Sequence, residues 1–151
     1  MTIIACIDPR FGLSVDGKRQ TTDTRVIQDI LSEIEDQDIG LTVTESSARY
    51  ILSCVNPVIN NIPLNVVNEI KPNQHEDATI FIETAPVKLI HKLISRADRI
   101  VLYIWDVTYT HTDYFPDMQK NESWSLSHVQ YFQGASHNEV TKQVYERNFE
   151  K

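Results

Sequence analysis

Apolar and polar positions along the chain fall into two periods, and their changes mark the elements. Residues 2–7 form a short apolar, β-branched run that reads as a strand, and Asp8-Pro9-Arg10-Phe11-Gly12 breaks it with turn chemistry. The polar stretch 12–21, with Gly12 and Gly17, leads into a pattern where Val26, Ile27, Ile30, Leu31 and Ile34 share one helical face. Thr22 stands where an N-cap belongs, and Asp23 in the first turn would complement the helix dipole.

Residues 41–43 read as a short strand. Thr44 opens a second helix with Ala48, Ile51, Leu52 and Val55 on one face, ended by Asn56-Pro57. A strand at 64–67 follows Pro63. Residues 68–77 contain Pro72 and too little apolar periodicity for a helix, so they read as a solvated loop before a strand at 79–83. Pro86 occupies a first helical position, with Val87, Leu89, Ile90, Leu93 and Ile94 as the buried face of a third helix. One long strand is expected over 99–110. Residues 125–133 and 139–147 alternate as two more, joined through Gly134-Ala135-Ser136-His137-Asn138 as an antiparallel hairpin.

This order predicts an α/β fold in one domain, 1–151: a mixed, mainly parallel sheet with helices on both faces and an antiparallel C-terminal hairpin. Ligands in such sheets bind near the carboxyl ends of the strands, which singles out the loops after Ile7, Val43 and Glu83.

Composition narrows the function classes. The 151 residues are 41% hydrophobic and 23% charged with only 4 Gly, as expected of a chain that folds around one core. Fourteen Lys and Arg against 21 Asp and Glu give a net charge of −7, and no local basic stripe offsets it, so nucleic acid is not an expected partner. The longest apolar stretch, Ile100 to Trp105, is far short of the roughly 20 residues of a membrane span. The N-terminus lacks a basic region and is charged by Asp8, so it reads as a first strand and not a signal peptide; the expected location is the cytoplasm. Cys6 and Cys54 have no metal-ligand spacing and read as reduced, buried thiols. His75-Glu76-Asp77 and His111-Thr112-Asp113 lack partners at metal-site spacing, and no metal is expected.

Ala97-Asp98-Arg99 followed by Ile100-Val101-Leu102-Tyr103 and Asp106, then Thr112-Asp113-Tyr114-Phe115-Pro116-Asp117 and Trp124, resembles the C-terminal half of dihydrofolate reductases. That half has a helix ending in A-D-K/R, a long strand, a D-T-x-F-P segment and a Trp. Ile3-Ile4-Ala5-Cys6 is similar to that family's opening strand. Leu13-Ser14-Val15-Asp16-Gly17-Lys18 and Ile82-Glu83-Thr84-Ala85-Pro86 resemble the S-x-D-G-K and V-E-G-G-P segments of the riboflavin-pathway reductase domain, which shares the fold.

The resemblance implies a three-layer dihydrofolate reductase-like fold, NADPH as cofactor and a small-molecule metabolite as ligand. It puts Gly12, Thr44, Ser46, Thr84 and Ala85 at the dinucleotide, and Ala5, Cys6, Ile27, Ile30 and Tyr103 around the substrate. Asp23 stands nearest the acidic position of the first helix and takes the catalytic role, with the Tyr103 hydroxyl as its hydrogen-bond partner. A proton donor there needs burial and a raised pKa.

Three features depart from the family pattern. Thr84-Ala85-Pro86 replaces a glycine pair whose N–H groups hold the pyrophosphate, and Glu83 adds a negative charge beside it. Thr44-Glu45-Ser46-Ser47 stands where the family carries a base; hydroxyls at a helix N-terminus can receive an anion, but simple N-capping by Thr44 or Ser46 is the favoured reading. Residues 68–77 are too short and polar for the helix that the family has there.

The expected function is therefore a dihydrofolate reductase-like protein with a degenerate dinucleotide site, binding a small metabolite with weak or no reductase activity. The alternatives are an NADPH-dependent oxidoreductase acting on a pterin or pyrimidine-type substrate, and a homo-oligomeric scaffold with a vestigial pocket.

Overall fold

A computed structural model describes residues 1–35, 40–55 and 63–148. Strands β1 (Thr2–Ile7), β4 (Leu41–Thr44), β5 (Leu64–Val67), β6 (Thr79–Ile82), β7 (Arg99–Ile104), β9 (Trp124–Phe132) and β10 (Val140–Arg147) form one sheet in the order β5-β4-β6-β1-β7-β10-β9. The pairs from β5 to β7 are parallel, whereas β7–β10 and β10–β9 are antiparallel. The mixed, mainly parallel sheet with a C-terminal hairpin is therefore as expected.

Because the side chains of a strand alternate between faces, β1 feeds two separate cores. Ile4 packs with Val26, Ile27, Ile30 and Ile34 of helix α1 (Thr24–Ile34) and with Ala48 and Ile51 of helix α2 (Glu45–Cys54). Ile3, Ala5 and Ile7 pack on the other face with Ile90, Leu93 and Ile94 of helix α3 (Val87–Ile94). Among the described residues no helix is long and apolar enough to cross a membrane.

Several local expectations are corrected. Asp23, not Thr22, is the N-cap of α1, with its side chain accepting from the N–H groups of Arg25 and Val26. Pro86 caps α3 from an extended conformation and is not its first helical residue, because its ψ of 146° lies outside the helical range. Leu52 is exposed, and Val55 lies beyond the last turn of α2; Asn56-Pro57 lies outside the described residues.

The strand expected over 99–110 stops at Ile104. After Trp105 the chain turns to deliver the Tyr109 N–H to the buried carboxylate of Asp8 at 3.1 Å. The polar stretch 12–21 is more than a loop: β2 (Gly12–Val15), β3 (Lys18–Arg19) and β8 (Asp113–Tyr114) make a second small sheet in the order β3-β2-β8. Asp8 also accepts from the N–H groups of Arg10 and Gly12 and from the Gln20 amide, at 2.8, 3.0 and 3.1 Å. One carboxylate thus fixes the start of the small sheet against the carboxyl end of β1.

Candidate functional site

A cleft opens where β1 and β6 end, between the small sheet and the start of α2. Cys6, Gln20, Tyr50, Glu83 and Trp105 are among the residues that line it. Arg19 projects from β3 into this cleft. Its Nε and Nη2 donate to Glu83 Oε2 and Oε1 at 2.8 and 2.9 Å, so a planar guanidinium meets the carboxylate at two points. Nη2 also donates to the Ser46 carbonyl and hydroxyl at 3.0 and 3.1 Å. The guanidinium lies 4.6 Å from the centre of the Tyr50 ring. Hydrogen bonding to Glu83 raises the Arg19 pKa further, keeping the cation fixed. Glu83 is held from the other side by the Ser47 hydroxyl at 2.7 Å. The free space left in the cleft is about 10 Å³, roughly one water molecule.

Asp23 sits next door in an arrangement of its own. Its carboxylate is 1% exposed and accepts from the N–H groups of Arg25, Val26, Ala135 and Ser136 at 3.0, 3.3, 2.9 and 3.0 Å. His137 Nδ1 lies 2.9 Å from Oδ2. Burial pushes the Asp23 pKa up, but the Ala135 N–H, His137 and the Ser136 and Val26 N–H groups outweigh it and lower the carboxyl to about 2.

An ionised carboxylate only accepts, so Nδ1 of His137 carries a proton toward Asp23, and Nε2 lies 2.8 Å from the Tyr109 hydroxyl. The imidazole stacks on Trp105 with ring centres 4.3 Å apart. Gly134 belongs to this cluster for a steric reason, since a Cβ there would lie 2.4 Å from Asp23 Oδ2. Asp23 therefore ties the hairpin turn to the first turn of α1, and its lowered pKa is the opposite of what proton donation at neutral pH requires.

The residues expected around a substrate do not share one surface. Ala5 faces the α3 core, on the opposite side of the sheet from Ile27, Ile30 and Tyr103. Ile27 and Ile30 are fully buried among other apolar side chains. Cys6 lines the cleft, where burial, then the charges of Glu83 and Asp23, push its thiol pKa up. Cys6 and Cys54 are free thiols and only half-buried. The Tyr103 hydroxyl donates to Asp29 Oδ2 at 2.7 Å and not to Asp23, because Asp29 and Glu33 face β7 and β10 nearly two and nearly three turns further along α1. Lys142 of β10 completes that network, with its ammonium 2.7 Å from Asp29 and bonded to Glu33. Arg99 meets Glu33 at 3.0 Å.

Of the residues expected at a dinucleotide, Gly12 is buried with its N–H on Asp8, and a Cβ there would come within 2.7 Å of that carboxylate. Thr44 caps α2 by accepting from the Ser47 N–H. Ser46 is exposed and engaged by Arg19, Ala85 is buried and Thr84 half-buried. Arg19, Gln20, Tyr50 and Trp105 are among the cleft residues that sequence reasoning missed. The available signal was Glu83 itself, a carboxylate ending an apolar strand, which calls for a cation. Among the described residues no group of three or more His, Cys, Asp or Glu side chains is placed to hold a metal ion.

No protein-family model matches the sequence. No curated protein matches it at a significant level. Solved structures do match: among them, a dihydrofolate reductase from Enterococcus faecalis, complexed with NADP(H) and RAB-propyl, superposes with a TM-score of 0.60 at 14% sequence identity, covering 98% of this chain and 96% of that one. The chain has a dihydrofolate reductase-like α/β fold.

Proposed function

We propose that this chain is a dihydrofolate reductase-like protein whose dinucleotide site has been closed by its own side chains, and that it binds a small metabolite with weak or no reductase activity. The observation that carries the reading is the Arg19–Glu83 pair across the strand-end cleft. A pyrophosphate approaching the turn at Thr84-Ala85 would meet the Glu83 carboxylate and a Cβ at each position, and Pro86 offers no N–H. The residues present do not fit the dinucleotide. Asp23, held ionised, supports the same reading from the substrate side.

One feature favours an NADPH-dependent oxidoreductase instead. Arg19 brings a guanidinium to the end of the sheet near α2, where the related reductases carry a base, and it could serve a phosphate only after leaving Glu83. The similar Enterococcus protein was crystallised with NADP(H).

The test is a titration of the purified chain with NADPH, NADH and folate-like ligands by fluorescence and thermal shift, followed by dihydrofolate-dependent NADPH oxidation. The expected outcome is no saturable nucleotide binding and no turnover above background. Turnover that is lost in Asp23→Asn would overturn the reading.

A further inference from the structure

Strand β9 is the outer strand of the seven-stranded sheet, and among the described residues it pairs only with β10, so its other edge presents backbone N–H and C=O groups that no described strand pairs. Residues 125–131 are exposed along its whole middle. A bulge gives this edge an unusual surface. Leu126 pairs with Tyr145 and Val129 with Gln143, although simple alternation would put residues 126 and 129 on opposite faces. The extra residue between them brings Leu126, Val129 and Tyr131 onto one face, with exposures of 43, 37 and 65%. The nine residues of β9 contain no Asp, Glu, Lys or Arg, in a chain whose net charge is −7. Two of the usual protections of an edge, a charged side chain and a proline, are missing here, and the bulge near its start is the one it carries.

We infer that β9 is a self-association edge. Two copies join by antiparallel pairing of residues 128–132 about a two-fold axis at Gln130, fusing two seven-stranded sheets into one. A backbone edge is satisfied by another strand, and a second copy fits for two reasons. The first is charge: two chains of −7 repel, and β9, with no Asp, Glu, Lys or Arg, adds no like-charge contact at the seam. The second is self-complementarity. With the axis at Gln130, each Val129 lies opposite the partner's Tyr131, an aromatic and β-branched cross-strand pair made twice, and each His128 lies opposite the partner's Phe132. The bulge at 126–128 ends the regular ladder, so the seam is short, near or below the roughly 1,200 Å² lower bound of stable interfaces. The dimer should therefore dissociate on dilution.

The test is light scattering coupled to size exclusion, from low micromolar to several hundred micromolar protein, on the wild type and on Tyr131→Lys. Tyr131 is mostly exposed in the single chain, so the variant should keep its circular dichroism and melting temperature. The wild type is expected to approach twice the monomer mass as concentration rises, with Tyr131→Lys weakening association about tenfold or more. Gln130→Cys should crosslink to its own copy under mild oxidation, beyond any crosslinking of wild type through Cys6 and Cys54. Amide exchange of the wild type adds a readout independent of variants, with slower exchange at 128–132 at high concentration. A wild type that stays monomeric throughout overturns the inference. So does a dimer that survives Tyr131→Lys without Gln130→Cys crosslinking.

Discussion

Replacing Asp23 by Asn would weaken four backbone N–H contacts and the His137 contact at a site that admits almost no water. The expected loss of stability at neutral pH is about 2–3 kcal/mol. Acid should produce the same effect in the wild type. The Asp23 pKa falls from its ordinary 3.8 to about 2 on folding, so its contribution is fully present above the unfolded value and is lost as pH drops through 3.8 toward 2. By linkage this amounts to about 2 kcal/mol. Urea unfolding of wild type and Asp23→Asn at pH 7 and near pH 2 checks it: the gap between them should shrink in acid, and an equal gap at both would contradict the assignment. That Asp23 is the cap was only half legible. Thr22 and Asp23 are both cap-competent, and the choice is made by a hairpin turn more than 110 residues away that needs the carboxylate.

At the scale of elements, Lys142 joins β10 to α1 through Asp29 and Glu33, and its side chain is 8% exposed. Lys142→Met would leave Asp29 and Glu33 on adjacent turns near Tyr103 without the lysine's charge, with Arg99 still bonded to Glu33. Burial raises the Glu33 pKa, but Lys142 and Arg99 together bring it below its ordinary value, so losing the larger contribution should move it up. The expected cost is about 2–4 kcal/mol, measured by chemical denaturation, with partial recovery when Asp29→Asn is added. A change under about 0.5 kcal/mol would show that the network carries no stability.

The long elements were legible because each has a buried face with a clear period: Val26, Ile27, Ile30 and Ile34 mark α1, and Ile90, Leu93 and Ile94 mark α3. The small sheet was not, because β3 and β8 are two residues each and carry no periodicity. The end of β7 was misread since Trp105 to Thr110 has strand-like residues, and only the tertiary pull of Asp8 on Tyr109 turns them away.

For the whole molecule, sequence similarity and shape part company. A fold matched over 98% of the chain retains 14% identity with its reductase neighbour, because a sheet of this order asks for apolar residues at given parities and turns at given places, and many sequences satisfy it. What the sequence makes legible is where the chain departs from the family pattern: Thr84-Ala85 and Glu83 in place of a glycine pair, and Thr44 to Ser47 in place of a base. What could not be read was the positive half of the arrangement. Arg19 and Glu83 are 64 residues apart, and their meeting depends on the β2–β3 hairpin folding over the sheet end.

Calorimetric titration of NADPH into wild type and Glu83→Gln tests the proposed closure directly. Removing the carboxylate charge frees Arg19 and the turn while conserving shape. The expected result is no measurable binding to wild type and detectable binding to Glu83→Gln. Saturable binding to the wild type that Glu83→Gln leaves unchanged or weakens would mean that the Arg19–Glu83 pair does not close a dinucleotide site.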